Sequence, residues 1–462
     1  MRLFTLARNV FAPAVLLLSG CTFGPKYQRP PVAAPQAYRG ELTTTPSAES
    51  LGDAKWWTVF QDEELQKLIR AALAGNLDVR IAAARIEQAQ AQVGITRADQ
   101  FPIVSGTGSA GRQRNPSNPV FPAFEANLSQ LGLSAAWQLD FWGRYRKATE
   151  AARATLAASE WGQKAIIATL VANVSTAYFQ LRELDLELEV SSRTLAARRE
   201  SLELNRTLEQ GGAVSLIDVH QAEMLMEQAA RALPDLQKRI AQQENMISTL
   251  LGQNLGDIPR GQKLTEQILP PTVPAGLPSS LLERRPDIRQ AEMQLVASNA
   301  RIGVAKASYF PQISLTGTAG FQAYSLTGLF DSKVYNVGAA LTQPIFDFGR
   351  VRSAVRLTEA QKEEMIAAYL QAVQQAFREV SDALIAIQKN REYRERQQAL
   401  RTAAQNAADL SSIRYRGGAT SYLEVLQSAT SLYDAEIDLA QAQLNERLAV
   451  VQAYNALGGG WD

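Results

Sequence analysis

Few side chains in this 462-residue sequence are equipped for chemistry. It contains one Cys, Cys21, and one His, His220. That removes disulfide frameworks, Cys/His zinc sites and Cys–His catalysis. The acids that stand out are Asp218 and Glu424, each placed just beyond a Gly-Gly pair, in "LEQGGAVSLIDVH" (208–220) and "RYRGGATSYLEVL" (414–426). Two carboxylates at one offset from duplicated turns suggest a common electrostatic role. The plainer alternative is an exposed acid at a helix start, where the dipole favours it. The glycines of "SGTGSAG" and "TGTAG" precede no P-loop Lys, so they form no phosphate cradle. His220 reads as a surface or packing residue. No catalytic set, metal site or cofactor is expected, and the chain is not read as an enzyme; a carboxylate-only hydrolase is the residual enzymatic reading.

Cys21 has a different chemistry. Residues 1–20, "MRLFTLARNVFAPAVLLLSG", have a basic start, an apolar centre and small residues at the end, which is a secretory signal. Leu18-Ser19-Gly20-Cys21 resembles the bacterial lipobox. Cys21 is therefore expected to become the lipidated first residue of the mature chain, and Thr22 after it fits the outer membrane. That covalent lipid is the only non-protein group expected.

The net charge of +1 gives no basic excess for nucleic acid. No stretch of about 18 apolar residues follows the signal, so no helix is expected to span a bilayer. Any membrane role falls to the lipid or to β-strands.

These residues are positioned by a duplicated chain. "NLDVRIAAARIEQAQAQVGITRADQFP" ending at Pro102 answers "RPDIRQAEMQLVASNARIGVAKASYFP" ending at Pro311, 209 residues on. Gly143-Arg144 answers Gly349-Arg350, and Leu251-Gly252 answers Leu457-Gly458, both at 206. Each half reads helix, two strands, long helix, turn, helix. The division is a lipid-anchored extended segment (21–51), a first repeat (52–252), a Pro/Gly-rich extended linker (253–286), a second repeat (287–458) and a short tail (459–462).

The strands alternate strictly. Leu131, Leu133, Ala135, Trp137 and Leu139 face one way, opposite Gln130, Ser134 and Gln138, and residues 312–322 and 335–341 repeat the pattern. This fits a barrel that is apolar outside and polar inside. A soluble sheet with one wet face alternates identically, but the helices offer no obvious partner for so much apolar face. A membrane barrel takes about eight strands at the least, so four must be completed by other copies. Two copies would supply eight strands and three would supply twelve; periodicity does not choose. In the helices, Ile366, Leu370, Val373, Phe377, Val380, Leu384 and Ile387 alternate spacings of 4 and 3, as do Val171, Val174, Tyr178 and Leu181 upstream. These are coiled-coil seams. A helix from Gly143 to Gln210 would span roughly 100 Å. Pro234 is expected to kink or break the returning helix. The glycines Gly211, Gly212, Gly417 and Gly418 would then turn two long hairpins.

With "FGPKYQRP", "WWTVFQDEELQKLIRAALAGNLDVR", "LPSSLLERRPDIRQAE" and "YNALGGGW", the sequence resembles the TolC-like outer-membrane efflux channels, in the lipoprotein branch that serves resistance-nodulation-division (RND) pumps. The resemblance covers nearly the whole mature chain. It implies a mainly α homotrimer: an α-helical tunnel continuous with a 12-stranded β-barrel, four strands per chain, anchored in the outer membrane of a Gram-negative bacterium. It implies a periplasmic adaptor and an inner-membrane RND pump as partners, and passive export of small toxic compounds. Polypeptide secretion on the same architecture, or a lipid-anchored scaffold without a pore, are the alternatives. The helix tips would form a gate. Leu423 matches an apolar constriction, and Glu424 an acid ring whose crowding predicts raised carboxyl pKa values and a barrier to anions. Gln427 stands where many relatives have Asp. Asp218 matches an acid that ties to a Tyr, here Tyr415. Thr420 replaces an Arg that makes a second tie, with Arg414 or Arg416 as substitutes. The run "REYRERQQALR" reads as a solvated face, or more sharply as an adaptor or groove contact.

Overall fold

The computed structural model describes residues 23–461, apart from 36, 41–49, 118, 120–121 and 268–272. The signal segment and Cys21 lie outside the described residues. The two halves repeat the same order of elements, with one additional short helix at the start of the first. The first carries α1 (Trp56–Val59), α2 (Glu63–Gly75), α3 (Leu77–Ala98), β1 (Ile103–Asn115), β2 (Phe124–Leu139), α4 (Arg144–Gln210) and α5 (Leu216–Leu251). The second carries α6 (Pro278–Arg284), α7 (Pro286–Ala307), β3 (Gln312–Ala323), β4 (Lys333–Thr342), α8 (Arg350–Arg416) and α9 (Tyr422–Ala456). Helices α4 and α8 have 67 residues each.

The compact units do not follow the repeat. One comprises residues 1–31, 85–160 and 290–370; the other comprises 32–84, 161–289 and 371–462. Each therefore draws on both halves of the sequence.

In the first unit the strands form one antiparallel sheet in the order β1-β2-β3-β4. Its apolar face is uncovered: Val104, Leu133, Val337 and Leu341 are exposed. This is the face that the alternation assigns to lipid, since apolar surface of this extent is not left to water. Among the described residues no helix is long and apolar enough to cross a membrane. The extended segment that begins at Phe23 lies along α7. Asn299 donates to the Pro25 carbonyl at 2.9 Å. Buried Glu292 takes a two-pronged bond from Arg29, at 2.7 and 2.5 Å, and a third from Tyr27 at 3.2 Å. Such forked charged bonds fix position as well as energy.

In the second unit the seam reads as the periodicity predicts. Val171, Val174, Tyr178, Leu181, Val373 and Val380 are all buried. Asp62 caps α2 through Glu64 N and Leu65 N, and its other oxygen accepts from Tyr178 Oη (2.8 Å), Gln262 N and Gln267 Nε2. Two expectations are corrected here. The linker 253–286 is not simply extended: it holds α6, and Leu264 is buried while its carbonyl accepts from Arg447. Helix α5 has no break at Pro234. The basic run is mostly a solvated face: Tyr393, Arg396 and Leu400 are exposed, while Arg394 pairs with buried Glu446 at 2.9 Å, and Arg401 with buried Glu436 at 3.0 Å.

Candidate functional site at the paired helix turns

Both Gly-Gly turns close with the same bonds. At the first, Gly212 N donates to the Glu209 carbonyl and Ala213 N to the Leu208 carbonyl, each at 2.8 Å. At the second, Gly418 N donates to Tyr415 O at 2.9 Å and Ala419 N to Arg414 O at 2.8 Å. This pair of bonds is the Schellman ending, which needs a left-handed residue. Gly212 and Gly418 supply it, with φ of 70° and 74°.

Beyond the turns the two acids do different work. Asp218 closes a capping box, accepting from Ser215 N and Oγ at 3.0 Å. Glu424 leans back over its turn, accepting from Thr420 Oγ1 and lying 3.5 Å from the Arg414 guanidinium. Arg414 is thus the tip arginine that reaches an acid, and it does so within its own hairpin. Leu423 and Gln427 are exposed on the same helix, as are Leu216 and Ile217 on α5.

A small core joins the two hairpins. Leu202, Val219, Ala222 and Tyr422 are buried together, with Tyr415, Met226, Val425 and Leu426 packed on them. The Tyr415 and Tyr422 rings stand 5.3 Å apart. The expected Asp218–Tyr415 bond is not formed: Tyr415 Oη donates to Asn205 Oδ1 at 2.6 Å. The capping box already holds Asp218, while fully buried Asn205 offers the acceptor the phenol needs. Asp218 still acts at a distance. Burial first, and then its negative charge, push the Tyr415 phenol above its ordinary pKa. Burial likewise raises Tyr422, whose hydroxyl lies 3.2 Å from Ser201 Oγ.

Further along the same helices, Glu436 sits between Arg193 at 2.8 Å and Arg401 at 3.0 Å. Arg198 donates to the Leu225 carbonyl and stacks 5.3 Å from the Tyr433 ring. Desolvation lowers its pKa. A cleft of about 710 Å³ runs among these groups. Sequence reasoning missed Asn205, Tyr422 and Glu436. A signal was present: the residue that answers Tyr422 in the first half is Leu216, and the one that answers Asn205 in the second is Ser411. The hairpins lock together where the duplication diverges. His220 is exposed, 3.4 Å from Glu223. Among the described residues no group of three or more His, Cys, Asp or Glu is placed to hold a metal ion.

An outer membrane efflux protein profile matches residues 68–253 and 277–459, a stretch in each half. The chain belongs to the outer membrane efflux protein family. This efflux channel is 37% identical to the solvent efflux pump outer membrane protein SrpC of Pseudomonas putida, with 97% of each chain covered. It is 33% identical to the cation efflux system protein CusC of Escherichia coli, over 96% of this chain and 97% of the relative. Its fold matches the open state of the Neisseria gonorrhoeae MtrE outer membrane channel with a TM-score of 0.86 at 31% identity, covering 96% and 99% of the two chains. The efflux channel is an outer-membrane component of a Gram-negative efflux system, and its fold is the mainly helical, four-stranded one that its sequence implies.

Proposed function

We propose that three copies of this chain form a passive exit duct. Its twelve strands would make one barrel in the outer membrane, and its helices a periplasmic tunnel. A lipid on Cys21 adds a second anchor. A periplasmic adaptor and an inner-membrane RND pump deliver small toxic compounds and supply the driving force. The observation that carries this reading is the four-stranded sheet whose apolar face, at Val104, Leu133, Val337 and Leu341, is left exposed by the described residues. In lipid its two open edges would leave backbone groups unpaired at several kcal/mol each, so the sheet must close on other copies. Solvent and cation efflux, the roles in the relatives' names, favour small substrates. Nothing favours polypeptide secretion or a poreless scaffold.

The turns are the gate. Three Glu424 carboxylates around an axis would repel one another and admit cations before anions. Leu423 narrows the way, and Gln427 adds no charge. Gly211, Gly212, Gly417 and Gly418 hold the tips against the adaptor, which opens them only by binding the open tip better than the closed one. Arg414, 3.5 Å from Glu424, offsets part of the acid charge. Planar-bilayer recording tests this. Glu424→Ala should raise the closed-state current and reduce cation preference. An unchanged current and selectivity would remove the ring from the gate.

A further inference from the structure

The duplication is preserved in the hydrogen-bond register of the sheet. Ile103 pairs with Ala136 across β1 and β2. Moving the first partner on by 209 residues and the second by 206 gives Gln312 and Thr342, which pair across β3 and β4. The same shifts turn Trp137 Nε1 donating to Gln100 O (2.9 Å) into Gln343 Nε2 donating to Tyr309 O (3.2 Å). The two hairpins are therefore one structure used twice.

The contact between the hairpins occurs only once within the chain. β2 pairs with β3, with Leu139 opposite Ile313. At its foot Trp142 stacks on Phe310 with centroids 4.8 Å apart, and Trp142 Nε1 donates to the Pro311 carbonyl at 2.7 Å. The repeats of these residues are present and uncovered. Phe348 answers Trp142, and Phe101-Pro102 answers Phe310-Pro311. Phe348 is 103% exposed and Phe101 57%. Phe348 is also the one non-glycine residue with positive φ, 51°, among the described residues. A fully bare ring on a strained backbone gains nothing within its own chain; such strain persists where surrounding structure compensates for it.

We infer that the β2–β3 junction is repeated between copies. The β4 edge of one copy pairs antiparallel with the β1 edge of the next, in a fixed register, and Phe348 of one copy covers Phe101-Pro102 of the next. The inference rests on the multi-copy barrel proposed above and adds its register and its contact. Carrying Leu139↔Ile313 across by the same shifts places Ile345 opposite Val104, and so Leu341 opposite Gly108, Ala340 opposite Ser109 and Ala339 opposite Ala110. The faces agree without adjustment. Leu341 lies in the same cross-strand row as Ile313, and Gly108 in the same row as Leu131, so each proposed pair joins residues of one face. A slip of one residue would set apolar side chains against the polar face.

The test is cysteine cross-linking in the full-length channel, beside its native mass. Directly opposed residues lie about 4.5–5.5 Å apart at Cα, within disulfide reach, whereas diagonal neighbours lie about 7–8 Å apart. Ala340→Cys with Ser109→Cys should give linked ladders of copies on a non-reducing gel, and either single substitution should not. Ala340→Cys with Gly111→Cys, a two-residue slip, should link at most weakly. Gly111 suits this control because a Cβ there meets nothing within 4 Å. A channel that is multimeric by mass but links preferentially in the slipped pair overturns the register. A monomer by mass overturns the barrel reading itself. For the rings, Phe348→Ala and Phe101→Ala should each speed loss of the assembled form in warm detergent by at least about threefold, in line with an aromatic pair. The double variant should be no faster than the worse single, and Phe348→Trp should retain wild-type behaviour. Additive losses would overturn the contact.

Discussion

Glu183 and Glu187 sit one turn apart on α4, and both are buried. Glu183 Oε1 has no hydrogen-bond partner, while Arg239 reaches only Glu187, at 3.1 Å. Burial, then the hydrogen bond and charge of Glu187, raise the Glu183 carboxyl from its ordinary 4.5 to about 8. The folded state thus holds this proton more tightly than the unfolded state does. Stability therefore falls as pH rises from about 4.5 to about 8, and levels off above that. Glu183→Gln keeps the shape and removes the titration. Its thermal midpoint relative to wild type should climb across that window and not above it, as scanning calorimetry at stepped pH would read. In "LRELDLELEV" these acids look like any solvated helical run; only the partner helix decides that they are covered.

At the scale of elements, the Gly-Gly turns depend on backbone conformation rather than on space. A Cβ on Gly418 would meet nothing within 4 Å, yet its φ is 74°. Gly418→Ala should then cost about 1–2 kcal/mol of local stability, read as faster hydrogen exchange in residues 410–430 with the sheet unaffected. The hairpins and strands were legible in the sequence because their signals are local, periodic and stated twice. Val171, Tyr178 and Val373 are buried where a 3-4 spacing puts them. Pro234 does not break its helix because packing outweighs propensity: Ala229 and Leu236 on either side are buried, and the helix runs on. The Asp218–Tyr415 tie fails for another reason. Which of several nearby acceptors a phenol meets depends on how two hairpins dock, and no spacing along one strand of sequence encodes that.

For the whole molecule, the proposed barrel and the proposed lipid would be two separate holds on the membrane. Acyl chains on one cysteine would anchor the protein to one leaflet, whereas a closed barrel would be an integral span. Cys21→Ser should abolish the lipid mass shift in intact-protein mass spectrometry. The channel should nonetheless stay in the outer-membrane fraction after an alkaline wash. The forked bond from Arg29 to Glu292, and Phe23 lying 4.4 Å from the Phe310 ring, add a consequence for depth. With only Thr22 between the proposed acylated cysteine and Phe23, the leash is two residues, at most about 7 Å when taut. The fatty chains would then enter the leaflet only beside that aromatic cluster, at the foot of β2 and β3. So short a leash would work as a plumb line that marks where the oil begins on the sheet. A few glycines spliced in after Thr22 would slacken it and let the lipid wander from that mark.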